Sequence, residues 1–451
     1  MKNIFVIGAG RSSTALIKYL LKEKVSFNIT IGEKETKIAE KKFPLAKVVY
    51  FDILNVARAR SQLKKADLVI SMLPATLHHG VAMICADLGV SMLTASYVSE
   101  EIQKLSPTFE SKGACCIMEM GLDPGIDHMS AMRILDRIKL AGHKLNAFET
   151  FTGGLLADDQ KVDNPWQYKF TWNPRNVVLA GNGIVKFIQE GKLKYIPYQK
   201  LFQRTEIIHI PEYGYFEGYA NRDSLKYIEI YKLNGIKTLY RGTLRRPGFC
   251  KAWDAFVQIG ATDDSYTLFG LEEMTHRQFI NTFLQYNPND SIELKLAHYL
   301  NIGMESEEMY KLKWIGIFDD QLIGLRKGTP AQILEHILRK KWTLNDSERD
   351  LIVMWHKFDY MEGNTIKQIQ SHLVIEGKDQ INTAMSKTVG LPLGVTAKLL
   401  LENKINIKGV HIPTTKKIYE PVLDELSRYG LRFLERDTSA HSSVSNFKIS
   451  T

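Results

Sequence analysis

Two glycines and a serine near the N-terminus are the first residues that could bind a charged ligand. The apolar run 4–7 predicts a buried parallel strand and leads directly into Gly8-Ala9-Gly10-Arg11-Ser12-Ser13. Helical spacing of apolar residues begins at Ala15. In this context Gly8 allows a tight turn, Gly10 lets the backbone approach a pyrophosphate, and the helix N-terminus attracts its charge. Ser13 replaces the third glycine of this fingerprint, and the pattern predicts dinucleotide binding.

Acidic residues follow the next two predicted strands, 27–31 and 47–51. Glu33 stands roughly 20 residues after the glycines, where a carboxylate accepts hydrogen bonds from the adenosine ribose. Because a carboxylate repels a 2′-phosphate, Glu33 favours NAD over NADP, although the adjacent Lys34 could offset that repulsion. Asp52 is expected to touch the adenine edge.

Composition limits the classes of function. With 451 residues we expect two or three domains, and 44% hydrophobic and 24% charged residues are typical of a soluble globular protein. The net charge of +9 comes from scattered lysines without a basic stripe, so attraction of small anions and an ordinary solvated surface explain it as well as nucleic acid does. Charge alone does not decide between them, and we expect a small-molecule ligand and no nucleic acid. We expect neither a signal peptide at the N-terminus nor a membrane span. The four cysteines lack metal-ligand spacing, which predicts reduced thiols, no metal and a cytosolic location.

Alternating strand and helix patterns position these residues. Apolar runs at 68–72, 91–94 and 115–118 predict three further strands separated by helices. The carboxyl ends of parallel strands share one edge of a sheet, and ligands of open α/β folds bind at that edge. The N-terminal part therefore predicts a Rossmann-type, doubly wound parallel α/β sheet.

Four later segments carry a resemblance to a known family. They are Gly121-Leu122-Asp123-Pro124-Gly125-Ile126-Asp127-His128, DNPWQYKFTW at 163–172, YANRDS at 219–224 and YRGTLR at 240–245. In order and spacing they resemble segments of the saccharopine dehydrogenase family, of the L-glutamate-forming type also called saccharopine reductase. The resemblance covers nearly the whole chain. It implies a homodimeric enzyme of lysine metabolism that oxidises saccharopine to L-glutamate and 2-aminoadipate 6-semialdehyde, or runs the reverse reductive condensation.

The resemblance also implies which residues meet each ligand. The dinucleotide would contact Gly8, Gly10, Arg11, Ser12, Ser13, Glu33, Asp52, Leu73, Pro74, Ala75 and Ser96. Saccharopine would contact Ser96, Tyr97, Asp123, Thr171, Trp172, Arg222, Thr243, Leu244 and Arg245.

Two positions depart from the family. Thr152 replaces a cysteine, so an acid–base role of that thiol does not transfer, and the arginine that fungal members have near Glu33 is absent, which supports NAD.

Oxidation of an amine requires a group that takes a proton from the ammonium and cations that hold the carboxylates. Asp123, Tyr97 and His128 are the candidates for proton transfer. Each has a structural alternative, because Asp before Pro-Gly is common in turns, Tyr97 could be a packed ring, and His128 could cap a helix or lie in the core. Arg222 and Arg245 are the predicted carboxylate clamps, since a guanidinium grips a carboxylate with two parallel bonds.

Neighbours of these residues have weaker assignments. Arg246 is expected to face solvent. Trp166 and Trp172 could wall the site, although an aromatic pair around Asn-Pro is also ordinary packing.

The second part of the chain predicts an α+β domain with a mixed sheet and an inserted all-helical domain. Predicted strands are 147–152, 214–219, 227–233, 237–242, 351–360 and 365–375, and predicted helices are 251–259, 275–285, 291–299, 305–314, 330–340, 382–402 (interrupted near Pro392) and 418–429. We expect a Rossmann domain over 1–125, a substrate-binding domain over 126–265 and 347–451 that forms the dimer interface, and a helical lid over 266–346. A polar tail, 438–446, is expected to be loose.

Two other functions stay open at this point. One is a related dehydrogenase acting on carboxynorspermidine or a lysine-derived imine, and the other is a non-catalytic sensor or scaffold that binds a dinucleotide. Two arginine clamps favour a polycarboxylate over a polyamine. The presence of Asp123, Arg222 and Arg245 argues against a non-catalytic protein, although Thr152 leaves some room for one.

Overall fold

A computed structural model describes residues 1–22, 27–157 and 163–439 of the chain. Within these residues the chain forms two compact units, Met1–Lys144 with Gly377–Leu434, and Leu145–Glu376 with the segment that begins at Glu435. The predicted loose tail lies outside the described residues from position 440 onward. Among the described helices, none is long and apolar enough to cross a membrane.

The strands agree with most of the predicted ones. In chain order they are β1 (Lys2–Ile7), β2 (Phe27–Glu33), β3 (Lys47–Tyr50), β4 (Leu68–Ser71), β5 (Ser91–Thr94), β6 (Cys115–Ile117), β7 (Lys144–Leu156), β8 (Val185–Gln189), β9 (Lys192–Ile196), β10 (Thr205–Ile210), β11 (Gly214–Ala220), β12 (Thr238–Arg245), β13 (Leu268–Phe269), β14 (Lys327–Gly328), β15 (Asp350–Glu362), β16 (Thr365–Glu376), β17 (Gly409–His411) and β18 (Leu434–Ser439).

The helices likewise follow the predicted pattern, and Pro392 lies inside a continuous helix. They are α1 (Thr14–Lys22), α2 (Thr36–Lys42), α3 (Val56–Leu63), α4 (His78–Leu88), α5 (Glu100–Gln103), α6 (Ser106–Ser111), α7 (Ile126–Leu140), α8 (Pro174–Val178), α9 (Tyr227–Ile230), α10 (Phe249–Gln258), α11 (His276–Asn281), α12 (Ile292–Leu300), α13 (Glu307–Ile315), α14 (Pro330–Trp342), α15 (Ala384–Leu401) and α16 (Lys416–Arg428), with short 3₁₀ helices at Ala75–Leu77 and Tyr198–Gln203.

The first unit is built on a parallel sheet with the strand order β17-β6-β5-β4-β1-β2-β3. The register pairs Val6 of β1 with Ile31 on one side and with Ile70 on the other. All three side chains are fully buried, as expected for a sheet covered by helices on both faces. This order confirms the predicted doubly wound sheet and brings the ends of β1, β4, β5 and β6 to one edge.

Residues 377–434 return to the first unit, whereas the sequence placed them with the substrate-binding domain. β17 extends the parallel sheet beside β6, with Val410 opposite Cys116. α15 packs against α1, and a Cβ added at Gly390 would lie 2.7 Å from the backbone nitrogen of Leu16. This close helix contact and the β17 pairing join parts of the chain that lie far apart in sequence, which a local pattern does not reveal.

The second unit contains a mixed sheet with the order β10-β11-β12-β7-β15-β16-β18, to which β8 and β9 attach beside β12. Helices of the predicted lid share its core, because Trp342 of α14 packs edge-on against Trp166 and stacks on Trp253 of α10. In the described residues the block 266–346 is therefore part of this unit and has no separate core. The predicted strand at 227–233 is wrong, since Tyr227–Ile230 forms a helical turn and Tyr227 stacks on Tyr231.

Candidate functional site

The glycine loop has the geometry that its sequence predicted. Gly8 has φ +98°, and a Cβ there would lie 3.2 Å from the carbonyl oxygen of Met72 at the end of β4, so a side chain is excluded. Around Gly10 a Cβ would meet no described atom within 4 Å. The Ser13 hydroxyl donates to the Gly10 carbonyl over 2.9 Å. The protein therefore packs against Gly8 and leaves the space at Gly10 open, as an approaching pyrophosphate requires.

Glu33 is bound to the same loop. Its Oε2 accepts a hydrogen bond from the backbone nitrogen of Ala9 over 2.8 Å, and its Oε1 accepts one from the backbone nitrogen of Lys34 over 2.8 Å. The Lys34 ammonium pairs with Asp52 over 2.9 Å, which lowers the pKa of that carboxyl. Glu33 thus lies beside the glycines, where the ribose contact was predicted, while Asp52 holds Lys34.

Lys42, at the C-terminal end of α2, is a loop contact that the sequence reasoning missed. Its Nζ donates to the carbonyl oxygens of Gly10 over 2.8 Å and Ala9 over 3.2 Å. Burial, with the positive charges of Lys18 and Arg11, lowers its pKa to about 8. In the sequence Lys42 belongs to an ordinary charged helix face, and only the fold brings it to the loop.

Tyr97 and Asp123 meet at the edge formed by β5 and β6. The Tyr97 hydroxyl donates to Asp123 Oδ1 over 3.3 Å, and both side chains are half-buried. A phenol and a carboxylate in hydrogen-bond contact at the ligand edge of a parallel sheet can accept and pass on a proton. Leu73, Pro74 and Ala75 follow β4 at this edge, and Pro74 and Ala75 are exposed.

His128, in the first turn of α7, is fully buried. Its Nε2 is 2.8 Å from Glu119 Oε2, and its Nδ1 is 3.7 Å from Asp127 Oδ2. Glu119 Oε1 accepts the backbone N–H of Val98 over 3.0 Å. His128 therefore supports the segment that carries Tyr97, and its burial favours the core alternative over proton shuttling.

Ser96 contacts a second buried histidine, which the sequence reasoning also missed. Its Oγ lies 2.7 Å from Nε2 of His78, the first residue of α4. In the sequence His78 stands in His78-His79 with no motif to distinguish the two. The contact exists because β4 and β5 are neighbours in the sheet.

Arg245, at the end of β12 in the second unit, is a buried cation with 5% of its surface exposed. Its guanidinium carbon lies 4.9 Å from the ring centre of Tyr168, 5.2 Å from Phe249 and 5.8 Å from Tyr219. One nitrogen donates to the Leu244 carbonyl, and in the part of the chain that the structure describes Nε has no hydrogen-bond partner. Within the described residues no carboxylate pairs with it. A buried guanidinium with aromatic neighbours and an open Nε is a strong candidate to bind a carboxylate.

Three threonines of the second unit carry hydroxyls that could bind a ligand, namely Thr152, Thr171 and Thr243. Thr243 of β12 lies opposite Thr152 of β7 and opposite Tyr219 of β11. Thr152 and Thr171 are buried, and in the described part of the chain their hydroxyl oxygens have no hydrogen-bond partner. Buried hydroxyls normally find partners, so these two can donate to a ligand. Leu244 is buried against Gly153, where a Cβ would lie 2.5 Å from its carbonyl oxygen.

The structure does not bring the two predicted clamps together. Ala220 lies opposite Gly242, whereas Glu217 lies opposite Arg245, so Arg222 is at the other end of the β11–β12 pairing. Arg222 is exposed and has φ 53°. The prediction for Arg246 is wrong, because this residue is only 6% exposed and its guanidinium lies over Phe216.

The two tryptophans that were predicted to wall the site differ in their exposure to solvent. Trp166 is buried in the core, where its indole donates to the Lys311 carbonyl over 2.9 Å. Trp172 is 37% exposed.

Two models of one protein family match most of the chain. The saccharopine dehydrogenase NADP binding domain matches residues 4–117, and the saccharopine dehydrogenase C-terminal domain matches residues 121–431. This chain belongs to the saccharopine dehydrogenase family. The resemblance inferred from four short segments is thereby confirmed. The name of the first domain favours NADP, in contrast to the NAD predicted from Glu33.

Sequence similarity to curated proteins agrees with this family assignment. The mitochondrial alpha-aminoadipic semialdehyde synthase of Rattus norvegicus is 32% identical over 455 residues, which cover 97% of this chain and 48% of the rat protein. The chain thus spans about half the length of that relative. The saccharopine dehydrogenase [NADP(+), L-glutamate-forming] of Schizosaccharomyces pombe is 30% identical, with 96% of this chain and 99% of the relative covered.

Solved structures confirm the predicted fold. The apo saccharopine dehydrogenase (L-Glu forming) of Saccharomyces cerevisiae superposes with a TM-score of 0.88 and 28% identity, covering 97% of this chain and all of that chain. Homospermidine synthase of Legionella pneumophila, in complex with NAD, gives a TM-score of 0.54 at 12% identity over 97% of this chain and 91% of its own, which indicates a shared fold alone.

Proposed function

We propose that this chain oxidises saccharopine to L-glutamate and 2-aminoadipate 6-semialdehyde with a nicotinamide dinucleotide, or catalyses the reverse condensation. The observation that carries the proposal is the buried guanidinium of Arg245, which pairs with no carboxylate of the described residues. Keeping a cation in an apolar site without a counterion costs free energy, and a bound carboxylate would offset it. Saccharopine carries several carboxylates, and the match of the chain to the saccharopine dehydrogenase family supports it as the substrate.

The proposed chemistry begins with proton transfer. A secondary ammonium has no free lone pair, so Asp123, assisted by Tyr97, accepts one proton and leaves the neutral amine. The dinucleotide, when bound along Gly8, Gly10 and Glu33, supplies the hydride acceptor. Loss of hydride from the carbon next to nitrogen leaves the substrate iminium. Water then adds to that carbon and releases one proton to solvent, and the carbinolamine splits into the amine of glutamate and the aldehyde. Asp123 returns its proton to the departing nitrogen in that last step.

The unit that carries Arg245 also offers uncharged donors for the substrate. Thr152 and Thr171 have buried hydroxyls, and Thr243 is half-buried beside Tyr219. In this proposal they donate to carboxylate oxygens that Arg245 leaves unfilled. Thr152 binds but does not transfer protons, since a threonine hydroxyl is far too weak an acid for that role.

We also propose that the chain accepts both NAD and NADP. Glu33 suits the free 2′-hydroxyl of NAD, whereas Lys42, at the end of α2, contacts the same loop and can attract a 2′-phosphate. The use of NADP is supported by the names of the matched domain and of the fission yeast relative, both of which contain NADP. Values of kcat/KM for the two dinucleotides should agree within about tenfold, which corresponds to roughly 1.4 kcal/mol. A hundredfold preference for either would contradict this dual use.

Product analysis tests the proposed function. The purified chain is incubated with saccharopine and either dinucleotide, and glutamate, aldehyde and reduced dinucleotide are quantified. We expect the three products in equal amounts. Reduced dinucleotide without glutamate would show a different bond being oxidised, and no reduction with either cofactor would refute the activity.

A homodimer formed through the second unit is a further proposal, which sedimentation of the same preparation tests.

A further inference from the structure

His78 lies in the first unit between the ends of two neighbouring strands. Ser71 ends β4, Thr94 ends β5, and the imidazole fills the space between them with 1% of the residue exposed. Ser71 Oγ is 3.0 Å from Nδ1, and Thr94 Oγ1 is 3.3 Å from Nε2. The shortest contact, 2.7 Å, joins Nε2 to Ser96 Oγ. The ring therefore connects buried strand ends to a half-buried serine at the ligand edge of the sheet.

The charge state of His78 suits a fixed hydrogen-bonding role. Its three side-chain partners are hydroxyls, which carry no charge to stabilise an imidazolium. Burial lowers the pKa of His78 to about 4, so the ring is neutral at physiological pH. A neutral imidazole offers one donor and one acceptor, and either can bind a serine hydroxyl. Whichever nitrogen carries the proton, Ser96 Oγ is held in one orientation.

Fixing Ser96 has a consequence for the residue that follows it. The Ser96 carbonyl accepts the backbone N–H of Glu119 over 3.0 Å, so the backbone at this point is tied to the segment after β6. Tyr97 then reaches Asp123 through its hydroxyl. A serine hydroxyl otherwise rotates freely, and His78 is the contact that fixes its direction.

We propose that His78 is a positioning residue that orients Ser96 toward the dinucleotide and the substrate. The inference rests on the proposed function and adds to it a residue that does not itself touch the ligands. His78 takes no proton from the substrate. It sets the direction in which the Ser96 hydroxyl donates, and it helps to hold the backbone from which Tyr97 extends.

Two substitutions separate positioning from simple space filling. In His78→Gln the side-chain amide reaches about as far as the histidine Nε2 does, so it can still bind Ser96. In His78→Asn the shorter amide reaches only about as far as Nδ1, so it can bind Ser71 but not Ser96. We expect kcat/KM for saccharopine to fall by about tenfold or more in His78→Asn and by clearly less in His78→Gln, because small displacements in a site are costly. The neighbour variant His79→Gln is the matched control. Equal losses in the Asn and Gln variants, with wild-type unfolding midpoints, would overturn the proposal.

A double-mutant cycle tests whether His78 acts through Ser96. On a Ser96→Ala background, His78→Asn should lower kcat/KM by less than about twofold, because the contact it would break is already absent. Additive losses would contradict the proposal. The pH dependence of kcat/KM should keep its shape in His78→Gln, and loss of one limb would show that His78 carries a proton instead.

A measurement without substrate keeps the inference separate from the proposed function. In the full chain labelled with ¹⁵N-histidine, Ser96→Ala should move the Nε2 resonance of His78, and Ser99→Ala should leave it in place. If the wild type fails to oxidise saccharopine, the proposed function falls. The His78 proposal then stands if Ser96→Ala moves this resonance and both Ser96→Ala and His78→Asn weaken binding of the reduced dinucleotide. It falls if the resonance does not move or if either variant binds like the wild type.

Discussion

Tyr97 donates a hydrogen bond to Asp123 over 3.3 Å, although 26 positions separate them along the chain. The contact forms because β5 and β6 are parallel neighbours and end at the same edge, so the segments that follow them lie side by side. The sequence predicts each of the two as a candidate for proton transfer, with a purely structural alternative for each. Their contact supports the proposal that the two act together as one acid–base pair.

Asp123→Asn tests this pair. An amide cannot accept the ammonium proton, so we expect kcat for saccharopine to fall by about a hundredfold or more while dinucleotide affinity is unchanged. Steady-state rates and fluorescence titration of the reduced dinucleotide measure the two quantities. Tyr97→Phe should give a smaller loss, since the carboxylate remains. A wild-type rate in Asp123→Asn would make Asp123 a turn residue only.

His128→Leu distinguishes a core histidine from a proton carrier. The change removes one buried partner of Glu119, so we expect the free energy of unfolding to drop by about 1–3 kcal/mol. At a temperature where the variant is folded, kcat should stay within about threefold of the wild type, because general acid–base groups contribute far larger factors. Denaturant unfolding and initial rates are the measurements. A hundredfold loss of kcat in the folded variant would restore His128 to the proton pathway.

Arg245→Lys tests the carboxylate clamp. Lysine keeps the charge but loses the planar fork and its contacts with three rings, so we expect KM for saccharopine to rise by about tenfold or more. The affinity for the dinucleotide should not change. Arg204→Lys is a matched control, since Arg204 is an exposed arginine of the same unit that lies over the ring of Phe187. An unchanged KM in Arg245→Lys would remove Arg245 from the clamp.

We expect Lys42 to make the dinucleotide affinity depend on pH. Its folded pKa is lowered to about 8, so it is protonated below that pH and loses its charge above it. Affinity for an anionic dinucleotide should therefore fall as pH rises through 8, and Lys42→Met should abolish this dependence. The exposed Lys37→Met, on the same helix, should keep the wild-type profile. Titrations of reduced dinucleotide between pH 7 and about 9.5 measure it, and a flat wild-type profile would contradict the assignment.

Local patterns predicted the elements well because each depends on neighbouring residues. The turn at Gly8 is of this kind, since its requirement for glycine comes from the strand and helix on either side. His78 and Lys42 were missed because their contacts arise only when β4, β5 and the glycine loop come together. Arg246 was misplaced for a related reason. Arg245 ends β12 and Arg246 follows it, and both are buried because other parts of the unit cover the chain on all sides at this point.

The return of β17 and α15 to the first unit was also beyond a local pattern. Gly390 and Gly394 carry no strong signal in the sequence, yet both allow α15 to approach α1 closely, and Gly394 packs against Tyr19. Pro392 suggested a break, but the helix continues through it. Long-range packing, not propensity, decides these features.

Substrate selectivity tests most directly whether this chain oxidises a polycarboxylate amine. The measurement is kcat/KM for saccharopine against carboxynorspermidine, each with saturating dinucleotide and the rate of dinucleotide reduction as the readout. Because the buried Arg245 attracts carboxylates and repels a polyamine, we expect a preference for saccharopine of at least about a hundredfold, or roughly 2.7 kcal/mol. A preference for carboxynorspermidine, or equal values for the two, would contradict the proposed function.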